Sequence, residues 1–512
     1  MNQKSSKTPK SSRLSPNLSK LLSLLLYFLP TLFFFICYFL IITSGEDIWQ
    51  GANTPVNILG DSIAAFHHSV RLADMFAWSI INFFDYRYSF GLDTIFRLLD
   101  VFAALSVFYM STYLVLKRRP RLRLPDASVF CGLFLAVFLT SNGLTLYAGF
   151  SKIHNYLFIA FFFLLFGIFY VRDLWGYKTP SSKLFCLFMF ALGFLFGFSS
   201  NITAIVFLLT LPLYYFYLHF SQKHLKKAPN PSQNPLEPPS ASSSCSSLQS
   251  SSKPLSSLKS FLLSWRFSGI LGILLSLFIM YGLGSGIGDY DTNPVYQTVF
   301  DYLPLSALLS APAQSLIRLI KHNIFNFARF LFPFFVATFL AFVSKFLFIT
   351  PPLRLTKKSF RFLFSKREQN YLVASLIFIF LHILALSQIY YQTRLTLPAY
   401  LLGISIFFFV IKRLFTSLAP LSSHLRLLPL SLIFIFLTIS IITLRSYFAI
   451  SYLTRISPIL EKIKVSDSSS LCVDKNIATA ESLPYIHLGQ EDFLVDWAMP
   501  QTIYEKSITY CE

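Results

Sequence analysis

Glu46 and Asp47 stand side by side where an unbroken apolar run ends, in the stretch Thr43-Ser44-Gly45-Glu46-Asp47-Ile48-Trp49. A carboxylate in a partly desolvated place can act as a general base on an acceptor hydroxyl, or it can ligate a divalent cation through its acceptor-only oxygens. A plain span end, where polar residues collect, would carry the same pair. Farther on, His67 and His68 precede Arg71 by about one helical turn. Adjacent histidines point different ways on a helix, which disfavours a two-histidine metal site, whereas Arg71 suits a phosphate or a lipid headgroup. Arg97 and Asp100 lie three residues apart within an apolar segment, where ionisable groups are costly and tend to pair or to face a cavity. Lys152, His154, Asn155, Asn201 and Arg394 fall in short polar turns between apolar runs. Lys152 and Arg394 can hold a lipid-linked phosphate or pyrophosphate, or anchor the ends of spans.

Such residues need a scaffold, and composition says what kind. Apolar residues make up 54%, charged residues 13%, and phenylalanine alone numbers 59. Soluble domains carry roughly 25% charged residues. Mean hydropathy is +0.59, and the charge that remains is pushed between apolar runs of about 18 residues or more, the length that crosses a bilayer as a helix. Strict alternation over about ten residues, the mark of a membrane barrel, is missing. The expectation is an all-α integral membrane protein with about 11 transmembrane helices, at residues 21–43, 93–116, 127–147, 156–171, 184–198, 202–218, 267–283, 323–349, 369–388, 395–411 and 430–450.

The net charge is +20. Lys and Arg concentrate in alternate inter-span segments, as in Lys117-Arg118-Arg119-Pro120-Arg121-Leu122-Arg123 and residues 351–367. This pattern predicts a cytoplasmic N-terminus, an external C-terminus and contact with membrane lipids, and it argues against nucleic acid as the partner. The expected organisation is a basic arm (1–20), an N-terminal membrane half (21–219), a Ser/Pro-rich cytoplasmic linker (220–262), a C-terminal membrane half (263–450) and an external tail (451–512). The first external loop, 44–92, holds the acidic pair and an amphipathic stretch at 63–84. No Walker loop, dinucleotide glycine motif, HExxH or GxSxG occurs, which argues against the common soluble enzyme classes and ATP-driven transport by this chain alone. Cys472 and Cys511 share the tail, where they are either bridged or free.

A long first external loop with acids at its start and amphipathic helices within resembles the GT-C superfamily of polytopic glycosyltransferases, and in layout an uncharacterised bacterial membrane family grouped with them. Glu46-Asp47-Ile48-Trp49 is similar to that family's acidic-aromatic start, Lys152-Ile153-His154-Asn155-Tyr156-Leu157 to its Asn-Tyr turn, Gly197-Phe198-Ser199-Ser200-Asn201 to a later Gly-Ser turn, and Asp496-Trp497 with Tyr504 to its closing aromatics. Asn201 stands where an acid is often expected, and the linker looks like an insertion. The resemblance implies transfer of a sugar from a polyprenyl-phosphate carrier to a cell-envelope glycan or lipid, in a bacterial inner membrane. Asp47, with Glu46 beside it, would be the base and the neighbour of Mg2+ or Mn2+. Lys152 and Arg394 would meet the carrier phosphate, in the company of His67, Arg71, His154, Asn155 and Asn201. Two other readings remain open from the residues: a non-catalytic lipid or oligosaccharide transporter or flippase, and an envelope-assembly subunit.

Overall fold

The computed structural model describes residues 15–39, 92–138, 150–180, 182–226, 264–282, 364–389, 397–416, 423–455, 470–474 and 507–511. Helices dominate: α1 (Pro16–Phe39), α2 (Leu92–Leu116), α3 (Leu124–Phe138), α4 (Phe150–Leu174), α5 (Lys183–Ser199), α6 (Asn201–Lys226), α7 (Trp265–Gly282), α8 (Lys366–Ile389), α9 (Leu397–Thr416) and α10 (Ser423–Arg455). Each expected span except 323–349 overlaps one of them; that segment lies outside the described residues, as does the amphipathic stretch 63–84. Five segments are long and apolar enough to cross a bilayer: Pro16–Tyr38, Arg97–Leu116, Leu157–Leu174, Asn201–Leu218 and Lys366–Ala385. Large apolar side chains point outward, among them Leu184 (77% exposed), Phe278 (68%) and Phe436 (68%). Outward apolar surface on this scale suits hydrocarbon better than water. The protein is an α-helical, membrane-embedded one.

The tail adds one short parallel pair of strands to the helices. Strands β1 (Ser470–Asp474) and β2 (Ser507–Cys511) pair in parallel, with Cys472 opposite Thr509 and Asp474 opposite Cys511. The two cysteine positions are thus offset by two residues on neighbouring strands.

Serines start the helices. Ser182 accepts the Phe185 N–H at 3.2 Å to cap α5, and Ser264 accepts the Phe267 N–H to cap α7. At α8 the cap is reciprocal: Ser365 Oγ accepts the Glu368 N–H while Glu368 Oε2 accepts the Ser365 N–H at 2.8 Å. Such a capping box satisfies two backbone donors that the first turn would otherwise leave open. Helix α4 ends on Gly176, whose φ of +76° suits a residue without Cβ. The Tyr177 N–H bonds to Arg172 O and the Gly176 N–H to Asp173 O, closing the last turn.

Within the bundle, α5 and α7 make the closest approach. A Cβ at Gly193 would collide with the Gly269 carbonyl, and one at Gly272 with the Phe190 carbonyl. Small residues let backbones meet without the aid of water, and dispersion over the close contact then holds the pair. The wider core is aromatic: Phe33, Phe34, Phe108, Phe134 and Phe138 join α1, α2 and α3, and Phe163 stacks on Phe378 at 4.6 Å between α4 and α8.

Ion pairs gather at one end of the bundle, where α2, α4 and α9 finish and α3, α7 and α8 begin. Asp126, 1% exposed, accepts both guanidinium nitrogens of Arg118 at 2.7 Å and the Arg121 N–H at 2.9 Å. That bonding holds the Arg118 guanidinium above its ordinary pKa. Glu368 accepts Lys117 Nζ at 2.9 Å and also pairs with Arg413. Lys117, at φ 58°, holds its ammonium 5.4 Å from the Trp175 ring centre. Asp173 and Arg266 form a third, two-pronged pair at 2.6 and 2.9 Å. We refer to this as the basic end.

Candidate functional site

The expected site residues that are described lie at the opposite end. Helices α2 and α4 finish at the basic end, so they begin at the far one; α8 begins at the basic end, so it finishes there. Ser200 joins α5 to α6 there in a single residue. Its N–H bonds to Phe196 O to close α5, and its Oγ accepts the Thr203 N–H at 3.2 Å to open α6. Asn201, the first residue of α6, accepts the Ile202 N–H on its own Oδ1 at 2.8 Å. Thr203 Oγ1 lies 2.8 Å from Ser200 Oγ and 3.1 Å from Nε2 of His382 on α8. His382 is 1% exposed, stacks on Phe378 at 5.4 Å, and its Nδ1 has no hydrogen-bond partner among the described residues. A buried hydroxyl–imidazole chain of this kind can pass a proton or fix a helix contact.

The second polar cluster joins α1 to α2. Arg97 donates to the Tyr38 carbonyl at 2.7 Å, and Asp100, fully buried, lies within electrostatic reach of both Arg97 and Tyr38. The Tyr38 hydroxyl has no hydrogen-bond partner among the described residues. Arg97 and Asp100 thus interact as their spacing predicts, and Arg97 also ties α2 to the last turn of α1.

Lys152, His154 and Asn155 were expected in a tight turn ending at Tyr156, but they belong to the first turns of α4, which starts at Phe150. Nothing between Ser151 and Tyr156 breaks a helix, so the chain turns helical directly after Gly149. Asn201 likewise opens a helix rather than lying in a turn. Glu46, Asp47, His67, Arg71 and Arg394 lie outside the described residues. The structure therefore brings Ser200, Thr203 and His382 to one contact, beside Asn201 in the chain, and Arg97 and Asp100 to another.

Sequence reasoning missed His382 and Thr203. The signal was present: a histidine inside the apolar run Ile377-Phe378-Ile379-Phe380-Leu381-His382-Ile383 is an ionisable group within a span. It missed as well a cavity of about 120 Å³ between α4, α6, α7 and α8, lined by Phe163, Gly167, Phe207 and Phe378 and by the Asp173–Arg266 pair.

Among the described residues, no three His, Cys, Asp or Glu side chains cluster to hold a metal ion. Asp100 belongs to the α1–α2 contact and His382 to the α6–α8 contact, so the two do not form a common donor set. Asp47, expected beside Mg2+ or Mn2+, is outside the described residues. Comparison of the chain with protein-family models, with curated proteins and with solved structures finds no match. Fold and composition define the class, an α-helical membrane protein, and a narrower reading has to come from the residues.

Proposed function

We propose that this chain is a polytopic membrane glycosyltransferase of the GT-C type, with eleven spans, the N-terminus cytoplasmic and the C-terminus external, in a bacterial inner membrane. It moves a sugar from a polyprenyl-phosphate carrier to a cell-envelope glycan or lipid on the external face. What supports the reading is a convergence: the first turns of α4 and α6, with Lys152, His154, Asn155 and Asn201, open on the same end of the bundle as Arg97 and Asp100. In chain order the acidic pair Glu46-Asp47 follows the α1 end that Arg97 grips.

In this reading Asp47 takes the proton of the acceptor hydroxyl as its oxygen attacks the anomeric carbon. The carbon–oxygen bond to the carrier phosphate breaks, and the configuration inverts. Lys152 and Arg394 balance the charge of the departing phosphate. A divalent ion, where used, would sit by Asp47 and serve the same phosphate. The test is sugar transfer from a labelled polyprenyl-phosphate donor in proteoliposomes. Asp47→Asn should lose about 100-fold or more, and full transfer by this variant would dismiss the assigned base.

A specific observation favours a second reading, a lipid or oligosaccharide transporter without catalysis. Asp100 and His382 are buried within helices, and ionisable groups there often mark a path for a substrate or a proton. Translocation of a lipid-linked oligosaccharide with no acceptor present, abolished by Asp100→Asn and untouched by Asp47→Asn, would select that reading over the enzyme.

A further inference from the structure

The cavity between α4, α6, α7 and α8 serves neither of the functions argued above. It is long rather than round. Phe163 and Asp173 both line it, and on one helix they stand about 15 Å apart at the ordinary rise per residue. Most of its wall is apolar, with Phe163, Phe207 and Phe378 coming from three helices. The wall turns polar at Asp173 and Arg266, in the last turn of α4 and the first of α7, at the basic end. Tyr215 also lines the cavity and is 56% exposed, so the space reaches the outside of the bundle.

A glycine keeps this space open. At Gly132, Gly193, Gly197, Gly269 and Gly272 a Cβ would come to 3.0 Å or less from a neighbouring helix, so close packing explains their size. At Gly167, in the interior of α4, a Cβ would meet nothing within 4 Å. An interior glycine weakens a helix relative to alanine, and no packing contact accounts for this one. What its smallness preserves is the cavity that it lines. A void with apolar walls stays dry and accepts an apolar guest. At the polar end Arg266 gives Nε and Nη2 to Asp173 at 2.9 and 2.6 Å. Those bonds leave its Nη1 edge unengaged among the described residues, on a side chain that is 36% exposed.

We propose that this cavity holds one hydrocarbon chain of a membrane phospholipid, with the phosphodiester of that lipid at the Nη1 edge of Arg266. The chain enters past Tyr215, runs beside Gly167 and ends near Phe163. The phosphodiester brings oxygens that only accept, the chemistry that a guanidinium recognises. Such a lipid matches both parts of the site, an elongated apolar space and a donor at the level where helices end. The site is independent of the glycosyltransferase reading: none of its residues is invoked there, and it stands whichever function is correct.

The full chain in neutral-detergent micelles provides the test, with the thermal midpoint followed as phosphatidylethanolamine, diacylglycerol or glycerol phosphate is added. Phosphatidylethanolamine should raise the midpoint most. Diacylglycerol should raise it less because it lacks the phosphate, and glycerol phosphate should leave it in place because it lacks the chain. Gly167→Leu should bind phosphatidylethanolamine about tenfold more weakly, since its side chain takes the space of about two methylenes of the guest. Without lipid it should be more stable than the native chain, because α4 gains a better helix former. Ala374→Leu, on the α8 wall of the cavity, should weaken binding in the same way and serves if leucine at position 167 prevents folding. Asp173→Asn combined with Arg266→Gln keeps the pair uncharged and should lower the response to phosphatidylethanolamine to that of diacylglycerol, about fivefold. An undiminished response from the folded leucine variants would overturn the site. Equal shifts with phosphatidylethanolamine and diacylglycerol would overturn the phosphate contact. A full shift with glycerol phosphate would assign the response to the ion pair alone and overturn the chain.

Discussion

At the basic end Glu368 and Asp126 each accept three hydrogen bonds, Glu368 from Lys117, Arg413 and its own cap, Asp126 from the neighbouring α2–α3 turn. At the opposite end Asp100 and His382 lie sunk among apolar side chains of α2 and α8. The first pattern repays desolvation with several charge-assisted bonds and so locks helix ends together. The second gives each ionisable group a polar neighbour, Arg97 for Asp100 and Thr203 for His382, within an otherwise apolar setting. A protein that evolves under selection for folding alone tends to replace such groups by apolar ones. Their presence points to work at that end, as the basic end points to architecture.

Mutation can break this contrast. The largest effect should come from Glu368→Ala, which removes half of the α8 capping box and the acceptor of both Lys117 and Arg413. About 3 kcal/mol of stability should go, less than for a fully enclosed pair because Arg413 is 41% exposed and screened by water. The fall in thermal midpoint in detergent measures it. Asp126→Asn keeps the shape but loses the charge under Arg118, and about 2 kcal/mol should follow by the same assay. The smallest stability effects belong to the opposite end. His382→Phe and Asp100→Asn should each change stability by about 1 kcal/mol, less than Glu368→Ala, because His382→Phe gives up one hydrogen bond to Thr203 while Asp100→Asn keeps the shape and removes a charge that burial opposes. Activity should separate the two ends: transfer or translocation should fall for Asp100→Asn while the midpoint holds. Should Asp100→Asn or His382→Phe destabilise as much as Glu368→Ala, the division between a structural and a working end would collapse.

Much of the bundle was legible because a bilayer-spanning run is a local property. The runs at 93–116, 184–198 and 369–388 anticipate α2, α5 and α8 to within about three residues at each end. The start of α4 was not, since Lys152, His154 and Asn155 read as turn residues by polarity, although none of them stops a helix. Strands β1 and β2 were not legible either. Each is only five residues, and their partners stand 37 positions apart in the chain, as Ser470 and Ser507 show. Gly193 and Gly197 carried a visible small-residue spacing, but nothing near them named Gly269 and Ser276 as what they would meet. Of the candidate site, Arg97 and Asp100 were read correctly as interacting from their three-residue separation. His382 was passed over because its polarity is isolated within an apolar run.

The sequence by itself determined a helical, membrane-embedded chain and the segments that carry its basic charge, because apolar length and charge clustering need no partner to be read. Only the tertiary structure decided that Glu368 meets Lys117, 251 positions away, and Arg413, 45 positions away, and that Thr203 meets His382 across 179. It decided equally that Asp126 and Glu368 each accept three hydrogen bonds at the basic end. Such balances belong to packing, since the burial of a charge and the supply of its partners are set by which helices come together.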